Sequence, residues 1–506
     1  MPPATDSERY LAALCRRSFL SLWSYPNLYT DEGKPRTGQG RELCDLLVVF
    51  GHDVLIFSDK HVAYKDTGDV NVDWPRWCKR AVLSSMRQLY GAESWLRRFS
   101  GRVFLDARCA QPFPLTIPSN DQARYHRIAV TRGSFEACKK HFAGHSIGSL
   151  MLSSEPGAEQ PLPFQVGVAL PDKPYVHVFD EFTLDLLFEH LDTLADFVNY
   201  LRKKEVLMST PAKKISVAGE EQLLAIYLKS LNEQGEHDFV LPRDIPSEVD
   251  HIHFAEGYWE EIKDAPQLMA KRDADRVSYL WDQLIERFIH YGGLRVFGME
   301  IDQGPTDREL ALRHMAAEPR MRRRQLSDAL VEVRNRSGPK NSYARVMTSN
   351  HFPDTAYVFI AEPKPADESY EEYRQYRVGR LTAYCRVATL KAPNARQIIG
   401  LAIDSRDPKR EGSSEDLLMY DASNQSDADI AEAKQIQEEL GILLPQNVKE
   451  QNYSGREFPE AWSQADPESS KHDRRVVAQA RRKRTQAQKR KNKIRRASQR
   501  RNRNKR

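Results

Sequence analysis

The sequence predicts a multidomain α/β protein with mixed sheets, and three observations lead there. Its 506 residues exceed what one core of ~150 residues organises. Short apolar runs alternate with stretches of helical period along most of the chain. Charge is divided unevenly. From Lys471 to Arg506 there are 18 Lys or Arg and one acid, a net of +17, while the other 470 residues carry 58 bases and 70 acids, a net of −12.

Taken in order, Leu11, Leu14, Cys15, Phe19 and Leu22 fall at helical spacing and predict a helix over Ser7–Leu22. An aromatic loop, Trp23–Tyr29, and a Gly/Pro/Lys connection, Asp31–Gly40, follow. Leu43–Phe50 and Val54–Phe57 are apolar runs joined by Gly51-His52-Asp53, which reads as a β-hairpin with a tight turn. A helix is expected over Trp74–Arg98, then strands at Arg102–Asp106, His126–Val130, Phe164–Ala169 and Tyr175–Phe179, then one amphipathic helix, Leu184–Leu201. That makes a first unit over 1–205. Residues 206–330 read as mostly helical, clearest at Gln222–Leu231, Arg276–Tyr291 and Asp307–Met315. A second α/β stretch over 331–456 has strands at Tyr343–Thr348, Ala356–Ala361, Gln397–Ile403 and Leu417–Tyr420, with a helix over Tyr370–Ala388. One more helix and a loop are expected within Asn424–Gly455, and 457–506 form a polar linker and the basic tail.

The tail has Val476, Val477 and Ile494 as its large aliphatics, too few to offset ordering entropy, so it should be disordered, or helical only on a partner. A polyanion is the natural partner. The clusters Arg481, Arg482, Lys483, Arg484 and Lys489, Arg490, Lys491 are the expected phosphate contacts, or a nuclear address if the source is eukaryotic. Apolar runs such as Leu46–Phe50 are far short of the ~20 residues that span a bilayer, so no membrane partner is expected. No basic n-region precedes an apolar stretch at the start, which predicts a cytoplasmic location. Six scattered cysteines without CxxC spacing predict reduced, buried thiols rather than a zinc knot or disulfide framework.

Other motifs fail on context. Gly144-His145-Ser146-Ile147-Gly148 has nucleophile-elbow spacing, but the charged, helical Ser134–Ala143 stands where an apolar strand is required. Gly33–Gly38 has phosphate-loop spacing but continues into Gln39 and Gly40 instead of Lys and Ser/Thr. His141 with His145, and His251 with His253, have metal spacing without an acid or cysteine partner and read as structural.

The segment with chemistry in it is the hairpin. Its turn places Asp45 across from Ser58 or Asp59, and period-two alternation puts Ser58 and Lys60 on one face with Asp45. A carboxylate and an ammonium in strands this apolar must satisfy each other, a metal or a substrate. On the following helix, Trp77, Ala81, Ser84, Gln88, Ala92 and Trp95 share a narrow sector, and a buried Gln88 needs a hydrogen-bond partner. Arg76, Lys79, Arg80, Arg87, Arg97 and Arg98 share another sector that can follow phosphates, with Arg76, Arg80 and Arg87 the expected nucleic-acid contacts.

This arrangement, over residues 8–98, resembles the PD-(D/E)xK restriction-endonuclease-like superfamily, whose members carry an Asp on one strand and an acid-x-Lys on the next. The resemblance implies an αβββαβ core, binding of Mg²⁺ or Mn²⁺, and hydrolysis of phosphodiester bonds in nucleic acid, DNA more than RNA. By it, Asp45 is the metal aspartate, Lys60 the catalytic lysine, and Gln88 a residue behind the site. The chain departs from the pattern at Ser58, which stands where an acid belongs. The second carboxylate must then come from Asp59 through a β-bulge, or from Glu42 or Glu8. The competing expectation is an inactive nuclease fold that serves as a nucleic-acid-binding or assembly module.

Overall fold

The structure is a computed structural model that describes residues 5–144, 146–155, 162–168, 170, 172–209, 213–233, 235–240, 249–292, 294–296, 299–300, 305–349, 353–408, 414–452, 455–460 and 462. Its first helix, α1 (Asp6–Phe19), starts at a capping box: Thr5 Oγ1 accepts from the Glu8 N–H at 3.2 Å and Glu8 accepts from the Thr5 N–H at 3.1 Å. The aromatic stretch expected as a loop is instead strand β1 (Ser24–Thr30). It pairs with a second neighbour only at Tyr29 and Thr30. The missing N–H of Pro26 therefore falls on an outer edge, where it interrupts no ladder, while the left-handed Asn27 (φ 51) is skipped in the β1–β2 pairing. After a one-turn α2 (Lys34–Thr37), β2 (Arg41–Phe50) and β3 (Asp53–His61) form the expected hairpin. Phe50 pairs with Asp53, so the turn is only Gly51-His52, with Gly51 at φ 55.

The helix expected over Trp74–Arg98 begins earlier and is not uniform. It consists of α3 (Val70–Cys78), a π-helical turn (Lys79–Leu83) and α4 (Ser84–Arg98). The wider turn shifts the inward face to Ser85, Met86 and Leu89, and leaves Ser84 and Gln88 half-buried at its rim. Next come β4 (Val103–Phe104), β5 (Arg124–Arg132), α5 (Phe135–His141), β6 (Met151–Ser153), β7 (Gln165–Gly167) and β8 (Val176–Asp180). The single helix expected over Leu184–Leu201 is two, α6 (Glu181–His190) and α7 (Leu194–Ser209). Thr193 restarts the helix by accepting from the Asp196 N–H at 3.1 Å.

The first sheet runs β4-β1-β2-β3-β5-β8, antiparallel from β4 to β3 and parallel from β3 to β8. The α3–α4 crossover covers one face, where Arg127 of β5 pairs with Glu93 of α4. The other face carries α1 and α7: the Phe19 ring lies 5.3 Å from that of Phe197, and Arg202 of α7 reaches Asp53 of β3. A second sheet, β10-β9-β6-β7, adds β9 (Lys214–Val217) and β10 (His251–Phe254) to β6 and β7, so it joins strands from both sides of residue 205. α8 (Glu220–Lys229) lies between β9 and β10 in sequence.

A helical run follows, α9 (Tyr258–Ile262), α10 (Pro266–Asp275) and α11 (Tyr279–Tyr291), then β11 (Leu294–Val296), β12 (Met299–Glu300), α12 (Pro305–Ala316) and α13 (Arg320–Arg336). α13 opens Arg-Met-Arg-Arg-Arg, which reads as solvated, yet these arginines are buried. Arg320 pairs with Asp192 at 2.8 Å, Arg323 with Asp282 at 2.6 Å and Arg324 with Asp275 at 3.2 Å. The third sheet is ordered β12-β11-β16-β15-β14-β13, from β13 (Tyr343–Met347), β14 (Thr355–Glu362), β15 (Gln397–Asp404) and β16 (Glu415–Asp421). α14 (Tyr370–Ala388) is the crossover between the parallel β14 and β15 and has the bounds its pattern predicts. It packs so closely on β15 that a Cβ at Gly400 would sit 2.6 Å from Cys385 Sγ. α15 (Asp427–Leu440) is the last helix described. All six cysteines are free and buried. Among the described residues no helix is long and apolar enough to cross a membrane.

Candidate functional site

β2 carries the feature that assembles the first group of side chains. Its register with β1 steps from Leu28↔Cys44 to Tyr29↔Glu42, so Leu43 is an extra residue on β2, a β-bulge. Leu43 and Cys44 both turn into the core, and Glu42 comes round to the side of Asp45. The regular β2–β3 pairing ends at Leu46↔Phe57. Beyond it Asp45 Oδ2 takes the place of a ladder acceptor and receives the Asp59 N–H at 2.6 Å.

Burial pushes the Asp45 carboxyl up to about 8. A side-chain hydrogen bond with Glu42 adds to the rise, while the Asp59 amide and the Lys60 ammonium oppose it. Asp45 thus holds its proton at neutral pH, with the exposed Glu42 hydrogen-bonded to it and a lysine beside it. Lys60 is half-buried, and no salt bridge to it occurs among the described residues. Ser58, two residues before Lys60 on the same face, is fully buried. Its Oγ lies 3.1 Å from Gln88 Oε1 and 3.2 Å from Ser85 Oγ, so the partner that Gln88 requires is the serine that replaces the expected acid.

Asp59 does not join this group. The β3–β5 register is unbroken from Asp53↔Arg124 to His61↔Arg132, so β3 has no bulge and Asp59 faces the opposite side of the sheet. There its Oδ1 accepts from Arg132 Nε at 3.2 Å. Glu8 belongs to that side as well, where its charge helps raise Asp59. Glu42 is therefore the second carboxylate beside Asp45. Arg76, Arg80 and Arg87 are exposed along α3, the π-helical turn and α4. Arg481, Arg482, Lys483, Arg484, Lys489, Arg490 and Lys491 lie outside the described residues, as does His145. Ser146 is buried and follows helix α5 rather than a strand, as its context requires. His251 Nε2 and His253 Nδ1 each meet Ser216 Oγ at 2.8 Å.

The α7 face of the same sheet holds a second group, which sequence reasoning missed. His126 of β5, His177 of β8 and Glu205 of α7 place one donor atom each within 4.8 Å of the others, and such a set is capable of holding a divalent cation. Glu205 Oε1 lies 2.9 Å from His177 Nε2 and 3.3 Å from His126 Nδ1. The other ring nitrogen of His126 meets Asp53 Oδ1 at 3.0 Å, and Asp53 is paired with Arg202 at 2.5 Å. These contacts, against the penalty of burial, hold Glu205 down at about 2. Burial dominates at His177, which falls to about 4 and stays neutral. The trace of this group in the sequence is a single histidine inside each of two apolar strands, with ligands separated by 51 and 28 positions. No protein-family model, no curated protein and no solved structure matches the chain.

Proposed function

We propose that the protein is a divalent-metal-dependent nuclease of the PD-(D/E)xK type, with its chemistry on the α4 face of the first sheet. The observation that carries this reading is the meeting of Asp45, Glu42 and Lys60 on one side of the β2–β3 hairpin. Apart from the one-turn α2 and the two-residue β4, the chain order α1-β1-β2-β3-α3/α4-β5 supports it, because it follows the αβββαβ order of that superfamily. A buried carboxyl with a second, exposed carboxylate hydrogen-bonded to it suits a hard oxygen-seeking cation, so Asp45 and Glu42 are the residues that would hold Mg²⁺ or Mn²⁺. Bound there, the ion supplies Lewis-acid polarisation of the scissile phosphate. The Asp59 amide fixes the Asp45 carboxylate, and the Lys60 ammonium stabilises charge that develops on the phosphoryl oxygens or orients the attacking water. Ser58 and Gln88 hold each other beneath the site. The exposed arginines and the basic tail keep nucleic acid, DNA more than RNA, near it.

One observation favours a second reading. Ser58 occupies the position where an acid is expected and is already engaged by Gln88, which suits a nuclease fold kept as a binding or assembly module. A plasmid-nicking assay separates the two. With Mn²⁺ or Mg²⁺ the wild type should cut and EDTA should stop it, and Lys60→Ala and Asp45→Asn should each lose about 10²–10³-fold in rate, the scale of losing one transition-state contact. Retained DNA binding with no cutting under any metal would leave only the binding module.

A further inference from the structure

We propose that His126, His177 and Glu205 bind one transition-metal ion of the Zn²⁺ class, at a site separate from Asp45 and independent of the nuclease reading. The donor set comes first. Two imidazoles and one carboxylate favour a borderline cation such as Zn²⁺ or Co²⁺ over Mg²⁺, which prefers all-oxygen sites like the acid pair on the opposite face. The two faces of one sheet would then differ in the hardness of the ion they take.

The donor spacing is of the right scale. Donors around a tetrahedral ion at 2.0–2.1 Å stand about 3.3 Å from each other. Glu205 Oε1 is 3.3 Å from His126 Nδ1 and 2.9 Å from His177 Nε2, and no two of the three donor atoms are further apart than 4.8 Å. The imidazoles are placed by the backbone, because they stand on neighbouring parallel strands, β5 and the edge strand β8. The register pairs Ile128 with His177, so His126, two residues earlier, is its diagonal neighbour on the same face.

The surroundings prepare the ligands. Asp53 receives the Nε2 proton of His126, which leaves Nδ1 as the nitrogen that faces Glu205 and His177. This carboxylate–imidazole pairing is the usual way a metal-binding histidine is oriented and made more basic. Arg202 neutralises Asp53 in turn, so the Asp53 charge is balanced before an ion arrives. The imidazoles are 3% and 0% exposed and Glu205 is 29% exposed, which gives the ion a path from the α7 side into a dry pocket.

The test uses the full chain, stripped with EDTA and titrated with Co²⁺ followed by its visible ligand-field bands, then with Zn²⁺ followed by melting temperature. One equivalent of Co²⁺ should give the bands of a low-coordinate N/O site, displaced by Zn²⁺, and Zn²⁺ should raise the melting temperature. Glu205→Gln, at a partly exposed position that should fold, and His126→Gln should abolish the bands. Asp53→Asn should weaken binding about 10–100-fold, and Asp45→Asn should leave the bands unchanged. A wild type that binds neither ion at micromolar concentration would overturn the site, as would bands that persist in both Glu205→Gln and His126→Gln or that vanish in Asp45→Asn.

Discussion

Asp45 makes a claim about stability as well as chemistry. Its carboxyl titrates at about 8 in the folded chain against an ordinary value of 3.8. The folded protein therefore holds a proton on Asp45 that the unfolded chain releases across that interval. The resulting contribution to stability is full below about pH 4 and is lost as pH rises towards 8, with a slope of at most ~1.4 kcal/mol per pH unit. Asn in place of Asp45 keeps an acceptor for the Asp59 amide and carries no charge to desolvate. We therefore expect metal-free Asp45→Asn to be more stable than the wild type by about 1–3 kcal/mol at pH 8 and to converge with it near pH 4, read by urea unfolding. Stability gained at a site proposed to bind cations would be the familiar trade between folding and activity. A variant less stable than the wild type throughout pH 5–8 would mean that the carboxyl is not held against its charge.

Among elements, those legible in the sequence are the ones whose apolar period meets no irregularity. Leu43–Phe50 and Val54–Phe57 announce their hairpin, and Ser369 with Glu372 sets the start of α14. β1 was hidden because Pro26 and Asn27 carry turn chemistry, which an edge position excuses at Pro26 and a skipped pair at Asn27. The π-helical turn and the bulge at Leu43 each insert one residue without a composition signal, and between them they decide where Gln88 and Glu42 end up. Asp45, Lys60, Ser58 and Gln88 were thus readable as a group, whereas the choice of Glu42 over Asp59 was not. The group of His126, His177 and Glu205 was invisible because parallel strands bring together residues that no short spacing connects.

The contact of α14 with the third sheet can be tested directly. Arg377 is fully buried, with its Nε 3.1 Å from Asp416 Oδ2 and a second nitrogen on Asp404. Arg377→Met should destabilise this unit by ~3–5 kcal/mol by removing the buried cation that bridges the two carboxylates, which leaves Asp416 to Arg374 and Asp404 to neutral donors, and adding Asp416→Leu should recover part of that loss. Equal losses in the single and double variants would show that packing, rather than charge, fastens α14.

For the whole molecule, the charge division decides how nucleic acid would be held. Outside Lys471–Arg506 the chain carries a net of −12, so it repels an approaching polyanion over about a Debye length and is screened beyond that, and exposed Arg76, Arg80 and Arg87 act only at contact. The tail's +17 reverses that sign and should supply most of the encounter and affinity through counterion release. Since none of its residues belongs to the Asp45 group, the tail should raise local substrate concentration without touching the chemical step. A chain ending at Ser470 should therefore show a much higher KM on DNA and a kcat within about twofold of the full chain. The slope of log affinity against log salt should flatten by about 0.9 for each phosphate contact removed. The same slope in both chains would move the nucleic-acid interface onto the folded body, where Arg76, Arg80 and Arg87 would have to carry it. A fall in kcat with KM unchanged would instead bring the tail into the transition state.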